Sequence, residues 1–243
     1  MTYTLEPVSQ HPDEPRTLTT KLYAQIRHEI LTCALHPGER LRIAFLQERF
    51  AVSLSAVREA LSRLVSEGLI KTTDQKGFHV APVSMPDLID LMRTRGQIES
   101  LALSQSIEAG DLSWEARVIA AYHTLSRLPR AEPASPLIMS EAWARAHADF
   151  HVSLVSACDS PWLLRFRSTL YEQTERYRRL TVYAEPSRDV LGEHREMMTA
   201  AIKRDKARAL AIYETHIGET ARILIRHFVH PARADGGPRT KRG

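Results

Sequence analysis

Residues 46–70 read LQERFAVSLSAVREALSRLVSEGLI, and this stretch decides the fold of the N-terminal part. Val57, Ala60, Leu61, Leu64 and Val65 recur at steps of three and four, which lines them along one helical face. Ser53 or Ser55 stands where an N-cap belongs. Gly68 follows the last apolar position, as a glycine just past a helix end does. Ahead of it a short helix turns Phe45, Leu46 and Phe50 inward. Working outward, Leu22, Tyr23, Ile26 and Ile30 mark a first helix, and HPGE (residues 36–39) is a turn. Downstream, LIKTT and FHVAPV flank DQKG (residues 74–77), two β-prone runs around a turn. Three helices followed by a hairpin describe a winged helix-turn-helix over residues 17–83.

In such a module the second helix of the turn lies in the DNA major groove, and phosphate contacts hold it there. Ser55, Arg58 and Ser62 lie away from the apolar face of the candidate recognition helix. Lys76 and Gly77 at the hairpin tip suit a wing against the DNA backbone. Nine basic residues against six acidic ones between Thr17 and Val83 make the charge excess modest. A small α+β interaction domain stays open on pattern alone.

The rest of the composition bounds the class. The 243-residue chain is 43% hydrophobic and 26% charged, as in a soluble globular protein. Its net charge of +4 favours an anionic partner only weakly. Apolar runs are short, so no membrane span is expected. Cys33 and Cys158 form no CxxC pair, which fits a reducing cytoplasm. Residues 1–16 and 232–243 read as loose tails.

From residue 84 to 231 the sequence shows no convincing strand. Helical segments are expected near 86–109, 113–128, 137–158, 161–181, 187–204 and 206–229, with residues 129–136 as a loop and Asp205 capping the last helix. The expectation is a mainly α protein: a winged helix-turn-helix followed by an all-α bundle. Within that bundle RAHADFH (residues 145–151) puts His147 and His151 on one face, four apart, with Asp149 turned elsewhere. His194 and His216 lie 22 residues apart across a helix–turn–helix, so two antiparallel helices can bring them level. On spacing alone, a metal site and surface or satisfied core histidines stay equally open. Trp143, Trp162 and Phe166 are expected to fill the core.

LYAQIRHEILTCALHPGERL, LQERFAVSLSAVREALSRLVSEGLI and KGFHVAPVS together resemble the DNA-binding domain of GntR-family transcription regulators. The resemblance covers nearly the whole segment. It implies DNA contact by Arg58, which matches the arginine of the family's VRE motif, with Ser55, Arg42 and Arg49 as further candidates. Two positions depart from the pattern. Leu54 stands where the family has a base-reading arginine, and Ala56 where it has a proline. The first departure implies an altered operator sequence rather than an altered fold.

RGQIESLALSQSIEAG, DFHVSLVSACDSPWLLRF and EHREMMTAAIKRDKARALAIYETHI resemble the effector-binding FCD domain of the FadR-like branch of that family. This resemblance implies a divalent metal held by His151, His194 and His216. His147 occupies the fourth position, where the family commonly has aspartate or asparagine. Four imidazoles suit zinc, nickel or copper better than a hard ion, with zinc first. A neutral fourth ligand also favours an anionic effector. Arg95 matches an arginine of the family's first effector-domain helix; it can grip a carboxylate or pair with Glu99 four residues on. Arg145 and Tyr177 are weaker candidates.

The function implied is a transcription regulator, expected to repress. It would bind a palindromic double-stranded DNA operator as a homodimer and respond to a small carboxylate. A metal-dependent hydrolase using the histidines, with Asp149 or Glu193 as base, and a purely structural metal are the alternatives. Against the enzyme, there is no HExxH, nucleophile elbow or Gly-rich phosphate loop.

Overall fold

The computed structural model describes residues 18–73, 77–132, 135–180 and 188–229. The chain divides between Pro82 and Val83 into two compact units, with residues 31–33 belonging to the second.

The first unit is built from α1 (Leu18–Leu31), β1 (Arg40–Leu41), α2 (Ile43–Phe50), α3 (Leu54–Ser66), β2 (Ile70–Thr73) and β3 (Gly77–Val80). β3 pairs antiparallel with β2 from Ile70↔Val80 to Thr73↔Gly77, and with the short β1 through Arg40↔His79 and Leu41↔Phe78. The expected hairpin is thus a three-stranded sheet. Gly38, at φ +80°, makes the turn that brings β1 to the β3 edge. Leu22, Ile26 and Ile30 of α1 are buried, as are Leu46, Val57, Ala60, Leu61, Leu64 and Val80 of the same unit.

Ser53 caps α3 by accepting from the Ala56 N–H, and the Ser55 hydroxyl lies 2.9 Å from that of Ser53. At the other end Gly68 N–H bonds the Val65 carbonyl and Leu69 N–H the Leu64 carbonyl, which is the Schellman pattern. Gly68 has φ +72° and open space where a Cβ would sit. Gly68→Ala is therefore expected to cost only the left-handed backbone penalty, about 1–2 kcal/mol in urea melts. A larger loss would mean that packing also depends on the glycine. Phe45 corrects one expectation. It is 56% exposed, because the eight-residue α2 turns only Leu46 fully inward; Phe50 and Val65 are half-buried.

The second unit holds α4 (Met85–Ala109), α5 (Leu112–Ser126), β4 (Ala131–Glu132), β5 (Ser135–Met139), α6 (Glu141–Val155), α7 (Pro161–Leu180), α8 (Val190–Ile202) and α9 (Lys206–Val229). α4 runs along α6, α7 and α9, while α5 packs on α6 and α8. Trp114 anchors the α5–α6 seam: it is fully buried and donates its indole N–H to the Ser153 carbonyl at 3.0 Å. Asp205 caps α9 through the Arg208 N–H.

The expected loop and helix start at 129–140 give way to an antiparallel hairpin of β4 and β5. Met139 pairs with Ala131 and Ser135 with Glu132, and the helix starts only where Ser140 caps α6. Trp143 is buried as expected, but Trp162 and Phe166 are 65% and 54% exposed. They lie four apart on the outer face of α7, whose inner face is taken by Arg167, Tyr171 and Thr174. No helix among the described residues is long and apolar enough to cross a membrane.

Candidate metal centre and its arginine wall

Three helices of the second unit bring four histidines to one point. α6 supplies His147 and His151, α8 supplies His194, and α9 supplies His216. All four are buried, and one nitrogen from each lies within 4.8 Å of the others. The Nε2 atoms of His151 and His194 are 3.2 Å apart. Two ligands of a tetrahedral ion with bonds of ~2.0–2.1 Å sit about that far apart.

The surrounding hydrogen bonds fix where the lone pairs point. His194 donates from Nδ1 to the Val190 carbonyl at 2.6 Å, which leaves its lone pair on Nε2. His216 Nδ1 lies 2.7 Å from Glu193 Oε2. Arg188 Nη2 also comes within 3.3 Å of that nitrogen, and both groups cannot be donors to each other. The shorter contact decides: the carboxylate accepts the Nδ1 proton, and Arg188 spends its own donors on Glu193, Thr220 and the His216 carbonyl. Burial pushes Glu193 up, but hydrogen bonds from His216 and Arg188 bring it down to about 2. Burial, above all, holds His147, His151 and His194 well below the usual histidine value, and it lowers His216 too. At neutral pH the cluster is therefore a set of uncharged imidazoles, two of them backed by a carbonyl or carboxylate. That is the donor chemistry of a divalent transition ion, and these residues fit one.

Asp149 is exposed and points away from the cluster. Arg145 is exposed as well, and Tyr177 is buried near Ser84 and Asp87.

Arg95 lies beside the histidines, 3% exposed, and donates to Glu99 at 3.1 Å. Both sequence readings of it thus describe one place: it is paired, and it borders the cluster. Arg167 was not anticipated. It is 4% exposed, its Nε lies 3.4 Å from Glu99, and its Nε and Nη2 have no hydrogen-bond partner. Both guanidiniums lie over the Tyr171 ring, at 4.6 and 4.8 Å. Tyr171 Oη in turn meets His147 Nδ1 at 3.1 Å. Two buried cations share one buried carboxylate here, an excess of positive charge next to neutral imidazoles. The missed residues had a signal: Arg167, Tyr171, Thr174 and Arg178 stand at i, i+4, i+7 and i+11, one polar stripe on a single helix face.

In the first unit, Arg58 is exposed on α3 and makes no ion pair among the described residues. Ser55 and Leu54 are exposed at the start of that helix. Arg42 is exposed and immediately precedes α2. Gly77 opens β3 at φ +80°, while Lys76 lies outside the described residues. Arg49 is the exception, because Glu29 takes its guanidinium with both oxygens, at 2.9 and 2.5 Å.

Comparison with known proteins adds identity to this geometry. Residues 18–80 match the model of bacterial regulatory proteins of the gntR family, and residues 90–219 match the FCD domain. The chain is 42% identical to an uncharacterized HTH-type transcriptional regulator, BphR, of Paraburkholderia xenovorans, across 88% of this chain and 87% of that one. It is 32% identical to the HTH-type transcriptional repressor GlaR of Escherichia coli, across 80% and 90%. In fold it resembles E. coli McbR/YncC, with a TM-score of 0.70 at 20% identity over 87% of this chain and 99% of that one. The two curated relatives are named as a transcriptional regulator and a transcriptional repressor. The two matched segments, in the order helix-turn-helix then helical bundle, make the chain a GntR-family transcriptional regulator with an FCD domain.

Proposed function

We propose that the protein is a repressor that binds a palindromic double-stranded DNA operator as a homodimer and is controlled by a small carboxylate beside a divalent transition metal. Residues 17–83 would form the DNA-binding head and residues 84–231 the effector part. Arg58, Ser55, Arg42, Lys76 and Gly77 are the proposed DNA contacts. Arg49 joins them only if it leaves Glu29. His147, His151, His194 and His216 form the metal site, with zinc first and nickel or copper as alternatives. A bound ion would supply a fixed positive point at which a carboxylate oxygen is favoured. Such a regulator works where the DNA is, in the cytoplasm.

The observation that carries this reading is the buried charge imbalance: Arg95 and Arg167 share Glu99 beside a cluster of neutral imidazoles. A carboxylate supplies the missing anion. To regulate, it must bind the operator-competent and operator-free states with different affinity.

The test is operator capture from random DNA by the full-length protein, followed by fluorescence anisotropy with and without zinc and a panel of small carboxylates. We expect one palindromic sequence to be enriched and at least one carboxylate to weaken its binding, with Arg167→Met abolishing that response. Failure to enrich any sequence would defeat the DNA reading. If chelation lowers the melting temperature but leaves the carboxylate response intact, the metal is a brace and not part of the switch.

A further inference from the structure

Glu193 and His194 are neighbours on α8 but face different ways, since successive helical residues turn by about 100°. His194 is fully buried and enters the cluster. Glu193 turns toward α9, where its Oε2 lies 2.7 Å from His216 Nδ1. Of the four rings, His216 is the one bonded to a carboxylate among the described residues. His194 bonds a carbonyl, His147 meets Tyr171 and Arg178, and His151 meets His194.

The carboxylate is held in its turn. Arg188, whose side chain is 12% exposed, donates to both Glu193 oxygens, at 2.7 and 2.6 Å. The same guanidinium reaches α9, donating to Thr220 Oγ1 at 3.0 Å and to the His216 carbonyl at 2.9 Å. One side chain thus ties down both the carboxylate and the backbone of the histidine that the carboxylate supports. A plain brace between two helices needs neither. Arg208 and Glu196 join the same pair of helices with a 3.8 Å contact, and neither bonds a histidine among the described residues.

A neutral imidazole carries one proton, on either nitrogen, and the hydrogen bond at one nitrogen decides which. Glu193 occupies Nδ1 of His216, so Nε2 is the nitrogen left for an ion. With its proton on Nε2, His216 would have no lone pair to offer there. A carboxylate at Nδ1 selects the useful tautomer, fixes the ring and strengthens it as a ligand.

Resting on the metal reading above, we propose that Glu193 is a positioning residue of the metal centre: its carboxylate keeps the His216 proton on Nδ1 and leaves Nε2 bare for the ion, while Arg188 holds the carboxylate on the ring. Glu193 does not ligate, because His216 and Arg188 engage both its oxygens. Its role is the same whichever of the other three rings share the ion. The seam between α8 and α9 becomes part of the centre, since α8 supplies Glu193 and His194 and α9 supplies His216 and Thr220.

The experiment compares the full-length protein with Glu193→Ala, Glu196→Ala and His216→Ala. Zinc affinity is measured by competition with a chromophoric chelator. Glu193→Ala should lose about 10–100-fold, the usual cost of removing a partner that orients a metal-bound histidine. His216→Ala should lose at least as much. Glu196→Ala removes a brace of the same seam and should stay within about 5-fold of wild type, as much as an exposed ion pair is worth. Nitrogen-15 NMR of the metal-free proteins adds a readout that bracing does not move. In wild type His216 should show a protonated Nδ1 and a bare Nε2, and in Glu193→Ala the proton should spread to Nε2. Equal zinc losses in Glu193→Ala and Glu196→Ala would overturn the proposal and leave the metal reading standing. So would a Glu193→Ala protein that binds zinc like wild type while His216→Ala does not. If His216→Ala also binds zinc like wild type, the metal reading itself falls. Should Glu193→Ala fail to fold, the wild-type tautomer decides: a proton on Nε2 of His216 sinks the proposal.

Discussion

Glu99→Gln should lower the stability of the second unit by about 3–5 kcal/mol, the loss seen when one partner of a buried ion pair is removed. Glu99 is 2% exposed and is the carboxylate that both Arg95 and Arg167 face, at 3.1 and 3.4 Å. Glutamine keeps the shape but takes away the only formal negative charge those two guanidiniums share in this ion-pair set. Tyr213 also faces Glu99 from within the core. Burial, and then the Glu99 carboxylate, push its hydroxyl well above the usual tyrosine range, so it stays neutral and cannot replace the lost anion. Arg167→Met is the opposite case. It deletes the surplus cation and leaves Arg95 paired with Glu99, so it should be close to neutral and cost far less than Glu99→Gln. Urea melts of the three proteins, with and without acetate, make the comparison. Acetate should raise the midpoint of Glu99→Gln more than that of wild type. A Glu99→Gln protein within about 1 kcal/mol of wild type would mean that the arginines do not depend on this carboxylate.

That contrast also shows which parts of the molecule were readable from its sequence. Helical periodicity fixes which face of α3 is buried, because Val57, Ala60, Leu61 and Leu64 follow one spacing and Gly68 ends the run with a backbone that only glycine adopts freely. Local rules carry such elements. They fail where burial depends on what lies opposite. Phe45, Trp162 and Phe166 look like core by residue type yet are exposed, since no other element among the described residues of their unit covers those faces. The hairpin at 131–139 escapes for a related reason. Its strands are two and five residues long, too short to show an alternating pattern. The histidines were legible as a candidate set because two of them share a helix face and two straddle one turn. Their hydrogen-bond surroundings were not, since Tyr171, Arg178, Arg188 and Glu193 are side chains distant in sequence that only the packed bundle brings to the rings. Arg167 went unread because a lone arginine on an amphipathic helix is normally solvated, and only the packed bundle turns this one inward.

Arg58→Ala is the second large effect, and it falls on the other unit. Arg58 projects from α3 into solvent, and no carboxylate among the described residues engages it, unlike Arg49, which Glu29 occupies. Its guanidinium is therefore available at no cost in lost internal pairing. If it reads a base edge, its loss should weaken binding to the selected operator by about 5–150-fold, the equivalent of 1–3 kcal/mol, while leaving binding to unrelated DNA nearly unchanged. If it meets a phosphate instead, both DNAs should weaken together and the slope of log affinity against log salt should fall by about 1. Salt titrations of anisotropy on both DNAs separate the two. Leu54 provides the internal control. It is 47% exposed at the first turn of the same helix, where a long polar side chain would reach DNA without disturbing the core. Leu54→Arg should then tighten binding to all DNA through its charge and shift the selected sequence toward guanine at one position in each half-site. Should Arg58→Ala and Leu54→Arg both leave the selected sequence and its affinity unchanged, α3 is not the helix that enters the groove, and the DNA-contacting face must be sought elsewhere on the unit.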